Sequence, residues 1–126
     1  MEERLNIDLI LLSYYDSLLK DWIEEQFSNK TPLVEIEPSS AITIDPNKVY
    51  TVTSALSENT VITFNDAEEE NGYCNKYTII FTVDSSITVT FPSGTLYKDG
   101  NVPTYVTGRT YEAKICNGLA VINEYY

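Results

Sequence analysis

The amino-acid sequence predicts a mainly β protein with an N-terminal α-helix, in which an antiparallel β-sandwich or jelly-roll-like domain follows an oligomerisation helix. Three observations lead to this prediction. Apolar residues recur at helical spacing over 5–27, the period changes to two from residue 49 onward, and prolines separate these regions. We therefore expect an assembly or attachment helix over 1–28, a connector over 29–47 and a β-sandwich domain over 48–126.

The helix is predicted from a heptad pattern. Leu5, Leu12 and Leu19 lie seven positions apart, and Tyr15 and Trp22 each follow one of these leucines by three positions. Further apolar residues make the apolar face of the predicted helix wider than a two-stranded coiled coil would bury. This width favours a three-helix bundle or docking on a larger surface. We expect these five residues to form an oligomer interface. Packing of the helix on its own β domain is the alternative.

The connector is predicted from its prolines. Pro32, Pro38 and Pro46 punctuate two short extended pieces, 33–36 and 41–44. Proline favours extended connections and edge strands, so the segment is expected to act as a spacer with some edge pairing.

The β domain is predicted from runs rich in Thr, Val, Ile, Tyr and Phe. Tyr77, Ile79, Phe81 and Val83 alternate with other residues, so their side chains should share the core face. The alternation of Ile87, Val89 and Phe91 predicts the same for the following run. The six predicted strands cover 49–56, 60–64, 76–83, 86–91, 110–116 and 119–124.

Two turns should connect neighbouring strands. Asp84-Ser85 is a short turn between the third and fourth runs. Asn117-Gly118 separates the last two runs and is the strongest hairpin signal, because both residue types tolerate a positive φ.

Charge limits the partners. The 126-residue chain carries 19 acidic and 8 basic residues, a net charge of −11. Such a surface repels phosphate groups, and no Lys or Arg run offsets it, so neither nucleic acid nor an anionic membrane is expected as a partner.

The N-terminus lacks the basic region of a secretory signal, and the apolar run 9–12 is too short to span a bilayer. Cys74 and Cys116 are expected to be free thiols in a reducing cytosol, with pairing left open.

Catalysis is not expected. The chain has no histidine, which removes the Ser-His-Asp and Cys-His arrangements and the commonest metal ligand. The acidic loop 66–72 lacks the ligand spacing of a calcium loop, so it is interpreted as a solvated loop. We expect no enzyme activity, no cofactor and no metal site.

Tyrosine suggests a binding role. The chain has ten tyrosines and one tryptophan, and aromatic faces stack on sugar rings. Tyr97 and Tyr105 fall in a long loop region rather than in predicted strands. They are the candidates for contact with a ligand or receptor, and a small carbohydrate-binding or adhesion module that uses exposed aromatics is the alternative function.

Residues 75–126 contain a series of short motifs. They are a Tyr-rich strand over 77–81, Val89-Thr90-Phe91-Pro92, Tyr97 with Gly100 and Pro103, Thr110-Tyr111-Glu112, and Asn117-Gly118-Leu119-Ala120-Val121. With these motifs the segment resembles the C-terminal β domain of tailed-bacteriophage virion proteins, as in crAss-like and other gut phages. Phe91 stands where the family usually has Leu, Tyr97 where it has Trp, and Asp99-Gly100 where it has Gly-Gly.

The resemblance implies a virion structural protein: a head fibre, a capsid decoration protein or a tail fibre component. The segment 12–20 is also similar to short helices that open many phage fibre and receptor-binding proteins. The implied partners are other copies of the chain, in a homotrimer, other virion proteins, and a glycan or protein of the host surface. The implied location is the virion, after synthesis in the host cytoplasm. The resemblance implies no cofactor and no catalytic residues.

Overall fold

The computed structural model describes residues 14–19 and 31–126. It divides the chain into two compact units, Met1–Lys30 and Thr31–Tyr126. In the first unit, residues 14–19 are helical. The remainder of the helix predicted over 5–27 lies outside the described residues. Among the described residues, no helix is long and apolar enough to cross a membrane.

The second unit is a mainly β domain with two sheets. The larger sheet has six strands in the order β1-β3-β5-β8-β9-β7, and the smaller has three in the order β2-β4-β6. A short 3₁₀ turn, Asp66–Glu68, follows β4. The strands are β1 (Leu33–Ile36), β2 (Ala41–Ile44), β3 (Lys48–Val52), β4 (Thr60–Phe64), β5 (Lys76–Thr82), β6 (Val89–Thr90), β7 (Leu96–Tyr97), β8 (Thr110–Cys116) and β9 (Leu119–Tyr125).

The first six strands alternate between the two sheets. Strands β1, β3 and β5 lie side by side in the larger sheet, and β2, β4 and β6 do so in the smaller one. All neighbours within these two sets are parallel. The chain therefore winds through three successive coils, β1–β2, β3–β4 and β5–β6, in the manner of a two-sheet solenoid.

The core lies between the two sheets, and in it apolar residues of one coil are in register with apolar residues of the next. Ile42 of β2 is in register with Ile62 of β4, and Tyr50 of β3 with Ile79 of β5. All four side chains are buried. Thr60 is also fully buried, and its hydroxyl has backbone oxygen acceptors at 3.0 and 3.3 Å, so burial leaves no polar group unsatisfied there.

The predicted core face of β5 is confirmed. Tyr77, Ile79 and Phe81, together with Val83 just after the strand, are all buried. The following run is shorter than predicted, because only Val89–Thr90 is a strand. Val89 and Phe91 are buried and Ile87 packs against the core as a partly buried residue.

The segment predicted as a connector contributes to the sheets. Its two extended pieces are the strands β1 and β2, and each occupies the edge of a sheet. Ile42 and Ile44 of β2 are buried, so this coil belongs to the core. The compact β unit accordingly begins at Thr31 rather than at residue 48. Pro38 and Pro46 lie in the corners that follow β1 and β2, so the segment makes the expected edge pairing but is part of the β unit rather than a spacer.

The prediction of an antiparallel sandwich or jelly roll is corrected in its pairing. Only β5, β8 and β9 pair antiparallel; the other described pairs between strands are parallel. The turn at Asp84-Ser85 is not a hairpin, because β5 and β6 belong to different sheets. An alternating strand has the same period in either direction, so the residue pattern alone did not distinguish the two pairings.

The predicted hairpin between the last two strands is confirmed. Cys116 is opposite Leu119, and the two turn residues have positive φ values, 53° for Asn117 and 75° for Gly118. This is the backbone that a two-residue hairpin needs to match the twist of its strands.

The expectation of free thiols is wrong, because Cys74 and Cys116 form a disulfide. Cys116 is opposite Lys76 in the β5–β8 ladder, which brings the end of β8 beside the residues preceding β5. The two Cα atoms are 6.5 Å apart. A sequence separation of 42 residues gave no sign of this proximity.

A polar cluster holds the turn between β2 and β3. The Asp45 carboxylate accepts a hydrogen bond from Asn65 at 2.9 Å and one from Lys48 at 3.3 Å. The Asn65 hydrogen bond first, and then Lys48, lower the pKa of the Asp45 carboxyl below its ordinary value. The polar cluster thereby ties the turn between β2 and β3 to Asn65, which directly follows β4.

The lowered pKa of Asp45 predicts a pH-dependent contribution to stability. A carboxyl with a depressed folded-state pKa stabilises the fold above its unfolded-state pKa, and this stabilisation is lost as the pH falls through the folded value. Asp45→Asn should therefore be less stable than the wild type in urea unfolding at pH 7. The difference should shrink below about pH 4. Glu58→Gln, at an exposed carboxylate, is the control, and a pH-independent difference for Asp45→Asn would contradict the prediction.

Candidate functional site

The long connection between β7 and β8 is shaped by a turn and an anchored loop. The Gly100 N–H donates to the Tyr97 carbonyl at 2.9 Å, and Gly100 has a φ of 75°. The chain therefore leaves the sheet directly after β7. Further along, the Val106 N–H donates to the Tyr111 hydroxyl at 2.6 Å, which fixes the returning part of the loop to β8.

An aromatic cluster lies beneath this connection. Tyr105 packs edge-on against Phe81 and Tyr111, with ring centroids 5.3 and 4.8 Å away. Phe81 is 1% exposed and Tyr111 3% exposed, so the loop is anchored to the centre of the core. Such edge contacts orient the rings as well as burying them.

The two tyrosines predicted to contact a ligand lie in different environments. Tyr105 is buried, contrary to the expected exposure, and burial raises the pKa of its hydroxyl. Within the described residues this hydroxyl has no hydrogen-bond partner. Tyr97 is half-buried at the end of β7, and burial raises its pKa as well. The pair therefore does not form the open aromatic platform that stacking on a sugar needs.

Tyr97 instead lines a groove of about 430 Å³ beside the last strand. Its other lining residues come from the loop 98–104, from residues 120–124 of β9 and from Tyr111 of β8. The lining is both polar and apolar and includes Asp99, Asn123 and Val102. The groove is open to solvent.

One end of β9 is held by Arg109. Its guanidinium donates to the Glu124 carboxylate, which raises the pKa of Arg109, and it stands 4.2 Å from the centre of the Tyr126 ring. The ion pair and the cation–π contact tie Glu124 and Tyr126 to Arg109.

The acidic loop 66–72 contacts the core through Glu69. Tyr77 donates a hydrogen bond to Glu69 at 3.0 Å, and its ring stacks on Phe64 with centroids 3.9 Å apart. Burial, and then the Glu69 carboxylate, raise the pKa of Tyr77. Over residues 14–19 and 31–126, the structure brings together no group of three side chains suited to hold a metal ion.

Of the five predicted interface residues, the structure describes two. Tyr15 is 63% exposed and Leu19 is 54% exposed in the helical segment 14–19. Leu5, Leu12 and Trp22 lie outside the described residues.

The sequence analysis did not find the groove, although it singled out the loop beside it. The sequence pattern predicts the pairing of β9 with β8, but not the contact of β7 with the other side of β9, which places Tyr97 beside the groove. In comparisons with known proteins, no family model, no curated protein and no solved structure matches the chain.

Proposed function

We propose that the chain is a non-catalytic virion structural protein, either a head fibre, a capsid decoration protein or a tail fibre component. Its N-terminal segment joins copies of the chain, in a homotrimer, or attaches them to another virion protein. The β domain is then displayed at the particle surface, where it meets a host glycan or protein. The family resemblance of residues 75–126 provides the virion context for this proposal.

The proposal rests chiefly on the apolar surface of the described helical segment. Tyr15 and Leu19 belong to the heptad pattern, and both are more than half exposed. The neighbouring Leu18 is 47% exposed. Three large apolar side chains within five residues need cover by another surface, because fully burying each is worth about 1.5–3 kcal/mol. The division into two compact units supports separate roles for assembly and display.

A charge in the heptad pattern should break the assembly. Leu19→Asp places a carboxylate where three chains meet, and burying it unpaired opposes association. We expect the wild type to have a light-scattering mass three times that of the 14.3 kDa chain. The variant should dissociate at concentrations at least about tenfold higher than the wild type does.

Ser17→Asp is the matched control, since it adds the same charge to the same helical segment at an exposed polar position. It should leave the mass unchanged. A monomeric wild type that also fails to bind phage particles would contradict the proposal, as would equal dissociation of the two variants.

A further inference from the structure

The groove beside β9 follows the backbone of the strand. Five consecutive residues, 120–124, line it. Side chains of a strand alternate between the two faces of a sheet, so consecutive residues can share a groove only along the strand's edge. The groove therefore exposes backbone N–H and C=O groups as well as side chains.

This edge is only partly covered. β9 pairs with β8 along its whole length on one side. On the other side, β7 pairs only with Leu119 and Ala120, and the chain then turns away at Gly100. Within the described part of the chain, no strand pairs with residues 121–125 on this side. The open edge thus begins where β7 ends.

The hairpin register identifies the free backbone groups. In a two-residue hairpin the flanking residues, here Cys116 and Leu119, exchange backbone hydrogen bonds. Along an antiparallel ladder such hydrogen-bonded pairs alternate with pairs that are not hydrogen-bonded to each other. Val121 and Asn123 therefore direct their backbone groups towards β8. The N–H and C=O groups of Ile122 and Glu124 point into the groove.

The edge has few of the features that usually prevent an added strand. Its sequence from 121 to 125 is Val-Ile-Asn-Glu-Tyr, with no lysine and no proline, and its one charged side chain, Glu124, is paired with Arg109. Natural proteins commonly place such residues on an edge to prevent pairing. The two residues of β7 already show that this edge accepts a parallel strand.

We propose that the open edge of β9 binds an extended peptide of a partner protein by strand addition, in continuation of β7. This site is separate from the N-terminal segment on which the proposed function depends. Alternate peptide side chains would contact Ile122 and Tyr97 on one face and Asn123 on the other. The groove lining carries two acidic side chains, Asp99 and Glu124, against one basic side chain, Lys98, so the peptide carries apolar residues with Lys or Arg. The same edge of a second copy would bring the same acidic excess to the groove.

The first test needs no ligand. In the full-length chain, hydrogen exchange followed by NMR should show fast exchange at the Ile122 and Glu124 amides and slower exchange at Val121 and Asn123, whose amides lie in the ladder. Protection of Ile122 and Glu124 in the free protein would mean that the edge is already occupied, and would overturn the proposal.

The second test selects a random library of eight-residue peptides on the full-length chain. Alternating apolar peptides with Lys or Arg should be enriched, and a labelled copy should slow exchange at Ile122 and Glu124. Glu124→Pro removes an N–H that faces the groove rather than β8, and should weaken binding by about tenfold or more. Glu124→Ala keeps that N–H while also losing the Arg109 ion pair, so it should stay within about threefold.

Three results would count against strand addition by a partner peptide. Equal binding to Glu124→Pro and Glu124→Ala would show that the backbone group is not used. Enrichment of no peptide, with saturable binding of an oligosaccharide instead, would assign the groove to a glycan. Dimerisation that Glu124→Pro abolishes would assign the edge to a second copy.

Discussion

Phe81→Ala is expected to lower the free energy of unfolding by about 3–5 kcal/mol. Phe81 is 1% exposed, and its ring contacts both Tyr105 and Tyr111, with centroids 5.3 and 5.8 Å away. Truncation removes the buried ring and leaves a cavity beneath the loop that forms the groove. Urea unfolding at pH 7 measures the loss.

Phe64→Ala is the matched control for this prediction. It makes the same chemical change at a half-buried ring, which stacks on Tyr77 at the other end of β5 from Phe81. Its cost should be clearly smaller, because less area returns to water and solvent can fill the gap. Equal losses for the two variants, or a loss below about 1 kcal/mol for Phe81→Ala, would show that this ring is not part of the core.

Removal of the disulfide is expected to lower stability by about 4 kcal/mol. The bond between Cys74 and Cys116 closes a segment of 42 residues, so it restricts the unfolded chain far more than the folded one. The double variant Cys74→Ala/Cys116→Ala should show this loss in urea unfolding. The β5–β8 ladder already holds Lys76 opposite Cys116, so the reduced protein should keep the native fold.

A reductant provides the control. Cys74 is exposed and Cys116 half-buried, so dithiothreitol should reach the bond. It should lower the stability of the wild type to that of the double variant, and leave the double variant unchanged. Two titratable thiols in the untreated protein, with no effect of the reductant, would contradict the disulfide.

Local elements were predictable from the sequence because they depend on near neighbours. The hairpin at Asn117-Gly118 follows from the φ values that these residue types tolerate. The buried face of β5 follows from its alternation, and the two short strands of the predicted connector match their observed limits, Leu33–Ile36 and Ala41–Ile44. In each case the deciding contacts lie within a few positions along the chain.

Apart from the β8–β9 hairpin, strand pairing was decided only by the tertiary structure. Nothing in the local sequence shows whether Asp84-Ser85 forms a hairpin within one sheet or a corner that carries the chain to the other sheet. It forms a corner, and the neighbouring strands of successive coils are therefore parallel. The disulfide depends on the register of β5 with β8, and the burial of Tyr105 depends on Phe81 and Tyr111. The groove exists because β7 stops after two residues while β9 continues. The sequence alone shows which residues are extended, which of their faces are apolar and that β8 and β9 form a hairpin. The partners of the other strands were settled by contacts between distant residues, whose energies the periodicity of a single segment does not contain.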